Sequence, residues 1–247
     1  MKKQTSILTI AGFDPSGGAG ILADIKTFQA FKCQGMAVQT ANTLQTADKF
    51  EEVKWEDEAV VTRQLTLLLQ TYEFSAVKIG LIPSFQALEN WLSILKALHK
   101  KVPVIWDPVL SASAGFKFHK NMNDLSKVLS AVDWVTPNWN EVKILGRVSE
   151  ALEAAKQLAA HTNVYLKGGH QLEKPGKDFW VSADQIRGFN PKLGNYSEKH
   201  GSGCAFSAAL AANLGKGYPP QKAILNSKRM IERLLKSSTT KLAVYHG

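Results

Sequence analysis

Short apolar runs rich in β-branched residues alternate with helical-period segments along nearly the whole chain. Most of these runs stop at a turn of glycine, Asp-Pro or Pro-Asn. Ser6 to Ala11, Met36 to Ala41, Ala76 to Gly80, Val102 to Trp106, Asp133 to Thr136 and Asn163 to Lys167 read as strands. Ile21 to Phe31, Glu58 to Tyr72, Phe85 to Leu98 and Ala151 to Ala160 read as helices, as do Leu125 to Val132 and a segment beginning at Glu141. Phe179 to Phe189 supplies two edge strands around Ala183-Asp184, and a last helix runs from Pro220 to about Leu235. Strands that alternate with helices form a mainly parallel sheet covered on both faces, so the fold class is α/β. Linkers rich in Gly, Ser or Pro and internal repeats are absent, which reads as a single domain over residues 1–247.

Ligands of such a sheet bind beyond the carboxyl ends of the strands. That rule singles out Gly12-Phe13-Asp14, Asn42, Gly80-Leu81, Asp107-Pro108, Pro137-Asn138 and Gly168-Gly169. Asn42 to Asp57 is polar and is expected to be an irregular, mobile flap. His200-Gly201-Ser202-Gly203-Cys204 runs straight into a small-residue helix, Ala205 to Gly215. Two readings of this stretch stand side by side. In one, the glycines bring backbone N–H groups close to an anion, the helix start adds its positive end, and Cys204 is activated as a thiolate. In the other, it is a glycine loop and Cys204 is a small buried apolar residue.

Several classes are excluded or disfavoured. Gly18-Ala-Gly20-Ile-Leu-Ala23 fits a loose dinucleotide fingerprint, but Val38 to Gln45 lacks the acid that would hold a ribose. No G-x-x-x-x-G-K-[ST] and no G-x-S-x-G occurs, which excludes a P-loop enzyme and disfavours an α/β-hydrolase. Cys33 and Cys204, the two cysteines, are far apart and form no C-x-x-C. That argues against disulfides or zinc and for a reducing, cytoplasmic setting. No apolar run reaches membrane-spanning length, and the stretch after Met1-Lys2-Lys3 is too brief for a secretory signal. The net charge of +9 lacks a nucleic-acid-binding motif and suits an anionic small substrate.

Asp107 and Glu141, with Asn138 between them in sequence, could hold Mg²⁺ directly or through water. Asn138 and Glu141 equally form a capping box. Asp24 lies one turn into the first helix and reads either as a site acid or as dipole compensation. Gln45 lies in the flap, and Lys167 ends a strand where it could approach a phosphate or reach to water. His200 either orients its loop or touches an anion.

Motifs in one order resemble those of a known family. Ile10-Ala-Gly-Phe-Asp-Pro-Ser-Gly-Gly-Ala-Gly-Ile21, Ala23-Asp-Ile-Lys-Thr-Phe28, Gly35 to Gln45, Val77-Lys-Ile-Gly80, Asp107-Pro-Val109, Thr136-Pro-Asn138 with Glu141, Lys167-Gly-Gly-His170 and His200 to Ala209 are similar to hydroxymethylpyrimidine/phosphomethylpyrimidine kinases of the ribokinase-like superfamily. The resemblance implies a three-layer α/β/α fold with a mostly parallel sheet. It implies ATP and Mg²⁺ as cofactors, and 4-amino-5-hydroxymethyl-2-methylpyrimidine and then its monophosphate as acceptors in thiamine diphosphate synthesis. It places Gln45, Asp24, Gly12 and Leu81 at the pyrimidine, and Asp107, Asn138, Lys167 and His200 at the nucleotide. Asp107 and Glu141 would hold the metal, the Gly201, Ser202 and Gly203 amides the transferring phosphoryl, and Cys204 would be the base. Partners would be small molecules, with no nucleic acid or membrane and with room for a homodimer. The departures are Phe13 for a small hydroxyl residue, Leu81 for methionine, Ser202 for threonine and Glu198-Lys199 for a small polar pair. Pyridoxal kinases of the same superfamily share much of the pattern and are the alternative.

Overall fold

A computed structural model describes residues 4–99, 101–110, 125–170 and 175–245; the start of the chain through Lys3 lies outside them. The elements are β1 (Ser6–Phe13), α1 (Gly20–Ala30), β2 (Gln34–Gln45), β3 (Phe50–Trp55), α2 (Glu58–Thr71), β4 (Ala76–Ile79), α3 (Phe85–Leu98), β5 (Val104–Trp106) and α4 (Ser126–Ala131). They continue as β6 (Trp134–Val135), α5 (Trp139–Gly146), α6 (Ala151–Ala159), β7 (Asn163–Leu166), β8 (Asp178–Val181), β9 (Ile186–Phe189), α7 (Ser202–Gly215) and α8 (Pro220–Leu234). Gly168–His170 is a short 3-10 turn.

The strands form a nine-stranded sheet in the order β3-β2-β1-β4-β5-β6-β7-β8-β9. From β2 to β7 every pairing is parallel, and β3, β8 and β9 are antiparallel additions at the two edges. Helices cover both faces. Leu8, Ile10, Val77, Ile79, Val104 and Trp106 pack against the apolar faces of α2 to α6. Ile7, Ala76, Ile105, Tyr165 and Trp180 pack against α1, α7 and α8. Alternate residues of one strand therefore enter opposite layers, as the pleat requires. The side chains of α7 from Ala205 to Asn213 are all buried, so this helix is a central element, lying against α1, α8 and the sheet. The α/β layering expected from the sequence is observed.

The polar stretch after Ala41 is a regular hairpin and not an irregular flap. β2 continues through Gln45 and returns antiparallel as β3, with Ala41 opposite Trp55 and Thr43 opposite Val53. Its inward residues are threonines as well as aliphatics, which hides the period-2 pattern. Thr40 Oγ1 donates to the Leu81 carbonyl at 2.7 Å, and Thr43 Oγ1 donates to the Phe13 carbonyl at 2.9 Å. These bonds pin the hairpin to the ends of β1 and β4 and satisfy groups that burial would otherwise penalise. Helix α7 also starts earlier than Ala205, at Ser202, which puts Cys204 in its first turn.

Candidate active site

The strand ends collect one group of polar residues at the carboxyl edge of the sheet. Asp107 follows β5, Thr136 follows β6 and Lys167 follows β7, while α7 begins opposite them. Lys167 Nζ donates to Asp107 Oδ1 at 2.8 Å. Thr136 Oγ1 lies 3.4 Å from the same oxygen and 2.8 Å from Ser207 Oγ, and Ser207 Oγ donates to the Gly203 carbonyl at 3.0 Å. A Cβ at Gly203 would lie 3.0 Å from Lys167 Nζ, so the ammonium sits beside the first turn of α7. Four amides at a helix start have no partner within the helix. Lys167 next to them makes this end of α7 strongly anion-attracting. Gly201, the N-cap, has φ +73 and could not carry a Cβ, which would come within 2.0 Å of the Gly18 carbonyl.

Charge in this cluster is finely opposed. Burial raises the Asp107 carboxyl, but Lys167 and Lys78 outweigh it and hold Asp107 below the usual range. Burial works against the Lys167 ammonium, yet Asp107 and Glu141 keep it protonated. Glu141 is pushed up to about 7, chiefly by burial and also by Asp107. Its Oε2 accepts from the Asn138 amide at 2.7 Å, and Asn138 Oδ1 accepts from Asn140 and Glu141, so the capping box is present. Asn138→Ala is expected to cost about 1 kcal/mol of stability, read from a denaturant midpoint. Asn138 also bridges to Lys167 in parallel, which fixes where that lysine leaves the sheet.

Cys204 corrects a sequence expectation. The helix start does not make it a ready thiolate. Its pKa is pushed up to about 12, first by burial and then by Asp107, with Lys78 and Lys167 only partly opposing. Burial and the neighbouring Asp107 carboxylate therefore favour the protonated thiol. Iodoacetamide should accordingly alkylate Cys204 very slowly at pH 8, and faster as pH rises, when followed by mass spectrometry. Alkylation as fast as that of the unfolded chain would contradict this placement.

On the other side of β5 in the sheet, Gly12, Leu81 and Gln45 lie at the ends of β1, β4 and β2. A Cβ at Gly12 would come within 2.9 Å of Leu81 Cδ2, so these two residues form one surface. Gln45 is half-buried where a bulge interrupts the β2–β3 ladder, and its side chain makes no hydrogen bond among the described residues. Asp24 is not presented openly there. It is fully buried beneath the strand ends, accepting from Thr9 Oγ1 at 2.6 Å and from Lys78 Nζ at 2.8 Å. His200 turns its ring inward, with Nε2 2.9 Å from Asp14 Oδ2.

The sequence reading assigns no role to Lys78, Thr9, Thr136 or Ser207, and marks Asp14 only as a strand-end residue. Lys78 is fully buried in mid-strand; burial works against its charge, but the Asp24 and Asp107 carboxylates outweigh it and keep the ammonium protonated. A lysine flanked by Val77 and Ile79 in a run otherwise buried on both faces was the available signal. Asp14 is signalled by its Pro-Ser-Gly-Gly turn. Its carboxylate accepts from Ser16 N, Ser16 Oγ and Ala19 N.

The residues fit a nucleoside triphosphate and a magnesium ion. The N-terminus of α7 with Lys167 suits transferring phosphate oxygens. No cluster of three or more metal-ligating side chains occurs among the described residues. The Asp107 and Glu141 pair suits Mg²⁺, which keeps most of its waters.

A family model described as phosphomethylpyrimidine kinase matches residues 14–247. A hydroxymethylpyrimidine/phosphomethylpyrimidine kinase of Aquifex aeolicus is 33% identical over 249 residues, covering 94% of this chain and 94% of that protein. Among solved structures, an ADP complex of Bacillus subtilis pyridoxal kinase superposes with TM-score 0.83 at 28% identity, covering 96% of this chain and 94% of that one. Phosphomethylpyrimidine kinase from Clostridium difficile superposes with TM-score 0.77 at 28% identity, covering 92% and 98%.

Proposed function

Because this chain belongs to the phosphomethylpyrimidine kinase family, we propose that it is an ATP-dependent kinase acting twice on one pyrimidine, as a single kinase domain spanning the whole chain. It phosphorylates 4-amino-5-hydroxymethyl-2-methylpyrimidine and then the resulting monophosphate, in thiamine diphosphate biosynthesis. The observation that carries this reading is the junction of two unlike subsites at the carboxyl edge of the sheet. One side joins Lys167 and the helix-start amides to the Asp107 and Glu141 carboxyls, and the other is an apolar surface bearing a free amide side chain.

ATP supplies an activated γ-phosphoryl group, and catalysis then consists mainly of positioning and charge neutralisation. The amides of Gly201 to Cys204 and Lys167 are placed to stabilise charge on a transferring phosphoryl group. Asp107 and Glu141 would hold Mg²⁺ mainly through water, since Lys167 already occupies one Asp107 oxygen. Gly12 and Leu81 support the pyrimidine and Gln45 recognises it. Asp24 acts from below, as a buried partner of Lys78. In the first transfer Cys204, as thiolate, takes the acceptor hydroxyl proton and releases it to solvent after transfer; that thiolate is the minor form in the free protein. In the second transfer the acceptor is already an anion and needs no base.

Gln45→Ala is expected to raise KM for the pyrimidine and leave KM for ATP unchanged in steady-state assays. A parallel rise in both would assign the hairpin a gating role. The higher TM-score to a pyridoxal kinase supports a second reading, in which pyridoxal is the acceptor. ADP release with the hydroxymethylpyrimidine, its monophosphate and pyridoxal, measured side by side, decides between them. Preference for the two pyrimidines supports the first reading, and preference for pyridoxal the second.

A further inference from the structure

The Asp14–His200 contact joins the two loops that carry the opposite halves of the site. Asp14 follows Gly12-Phe13 at the end of β1, on the pyrimidine side. His200 precedes Gly201 to Cys204 on the phosphoryl side. Asp14 is almost fully buried, at 1% exposure. Burial raises its carboxyl, but bonds from His200, Ser16 and Ala19 outweigh that and hold it ionised. An ionised carboxylate only accepts, so Nε2 of His200 carries the hydrogen of this bond. Nδ1 is buried and unpartnered among the described residues. The ring fills the space over Gly18, where a Cβ would come within 2.5 Å of it. The backbones touch too, Gly201 lying against the Gly18 carbonyl. His200 N donates to the Lys241 carbonyl at 2.9 Å, which anchors the residue from outside.

We propose that Asp14 and His200 are a positioning pair that sets the distance between the acceptor loop and the phosphoryl loop, and that His200 is not itself a phosphate ligand. The inference rests on the kinase reading for its catalytic consequence. Phosphoryl transfer depends on in-line placement, and a shift of about 1 Å from a remote change can cost about a hundredfold in rate. Neither residue touches the reacting atoms, so the loss falls on kcat.

The test compares D14N, H200A, H200Q and the double variant D14N/H200A with the wild type. H200A and D14N each lower kcat for both transfers about a hundredfold with KM values little changed. The double variant is no slower than the slower single one, because the two act as one unit. H200Q retains most of the rate, since its amide N–H can still reach Asp14. H200A shifts the ligand-free amide resonances of Gly12 and Phe13 as well as those of Ser202 to Cys204, while H200Q does so much less. Selective loss of ATP affinity in H200A would overturn the proposal, as would H200Q as slow as H200A, or losses that add in the double variant. If the wild type phosphorylates none of the acceptors, the kinase reading fails. The amide shifts still decide the latch: a change confined to the 200–204 loop would refute it.

Discussion

Cys204→Ala slows phosphorylation of the hydroxymethylpyrimidine alcohol by about 10²–10⁴-fold, the usual worth of a positioned general base. Transfer to the monophosphate in the same variant stays within a few-fold of wild type. The asymmetry follows from the acceptors. An alcohol must lose a proton as its oxygen attacks, and a phosphate dianion has none to lose. The thiol lies in the first turn of α7 and the anion-binding groups are backbone amides, so its removal spares them. Separate rate measurements with the alcohol and with the monophosphate check this. Equal losses in both would mean that Cys204 shapes the α7 start and handles no proton.

Lys78→Met is expected to lower stability by about 3–5 kcal/mol, because it leaves the Asp24 carboxylate buried without its charge partner. Both side chains have 0% exposure in their ion pair. Thr9 donates one hydrogen bond, and Asp24 Oδ1 already lacks a partner among the described residues. Little else there can compensate. A chain of this size should lose about 2–4 °C of melting temperature per kcal/mol. The double variant Lys78→Met/Asp24→Leu should recover most of the loss, since replacing a whole buried pair with apolar groups is often neutral. Chemical denaturation of wild type, single and double variants measures both terms. A single-variant loss below about 1 kcal/mol, the range of exposed pairs, would show that the pair is solvated in solution.

The parts of the fold that could be read from the sequence are those where burial alone dictates residue choice. α3 occupies Phe85–Leu98 as its spacing predicts, since Leu88, Trp91, Leu92 and Leu95 all face the core. The central strands were legible because they are buried on both faces and read as apolar runs. The hairpin was not, because β2 buries threonines whose hydroxyls bond to the Phe13 carbonyl on the neighbouring strand and to the Leu81 carbonyl beyond it. Within the site, the sequence pointed to Asp107, Glu141, Lys167 and the His200 to Cys204 loop. It could not indicate that Lys167 pairs with Asp107 or that His200 turns to Asp14. Those are long-range contacts, spanning 60 and 186 residues. The thiol of Cys204 was misjudged for a related reason. A helix start favours thiolate locally, but the carboxylates and burial that outweigh it come from other strands.

We propose that one site performs two successive transfers, to an alcohol and then to a phosphate. Phosphorus-31 NMR of the protein incubated with ATP, Mg²⁺ and the hydroxymethylpyrimidine tests it directly. A phosphomonoester signal should rise first and then give way to a pair of coupled diphosphate signals as ADP accumulates. ATP consumption that stops at the monoester, or that proceeds with no phosphorylated pyrimidine, would contradict it.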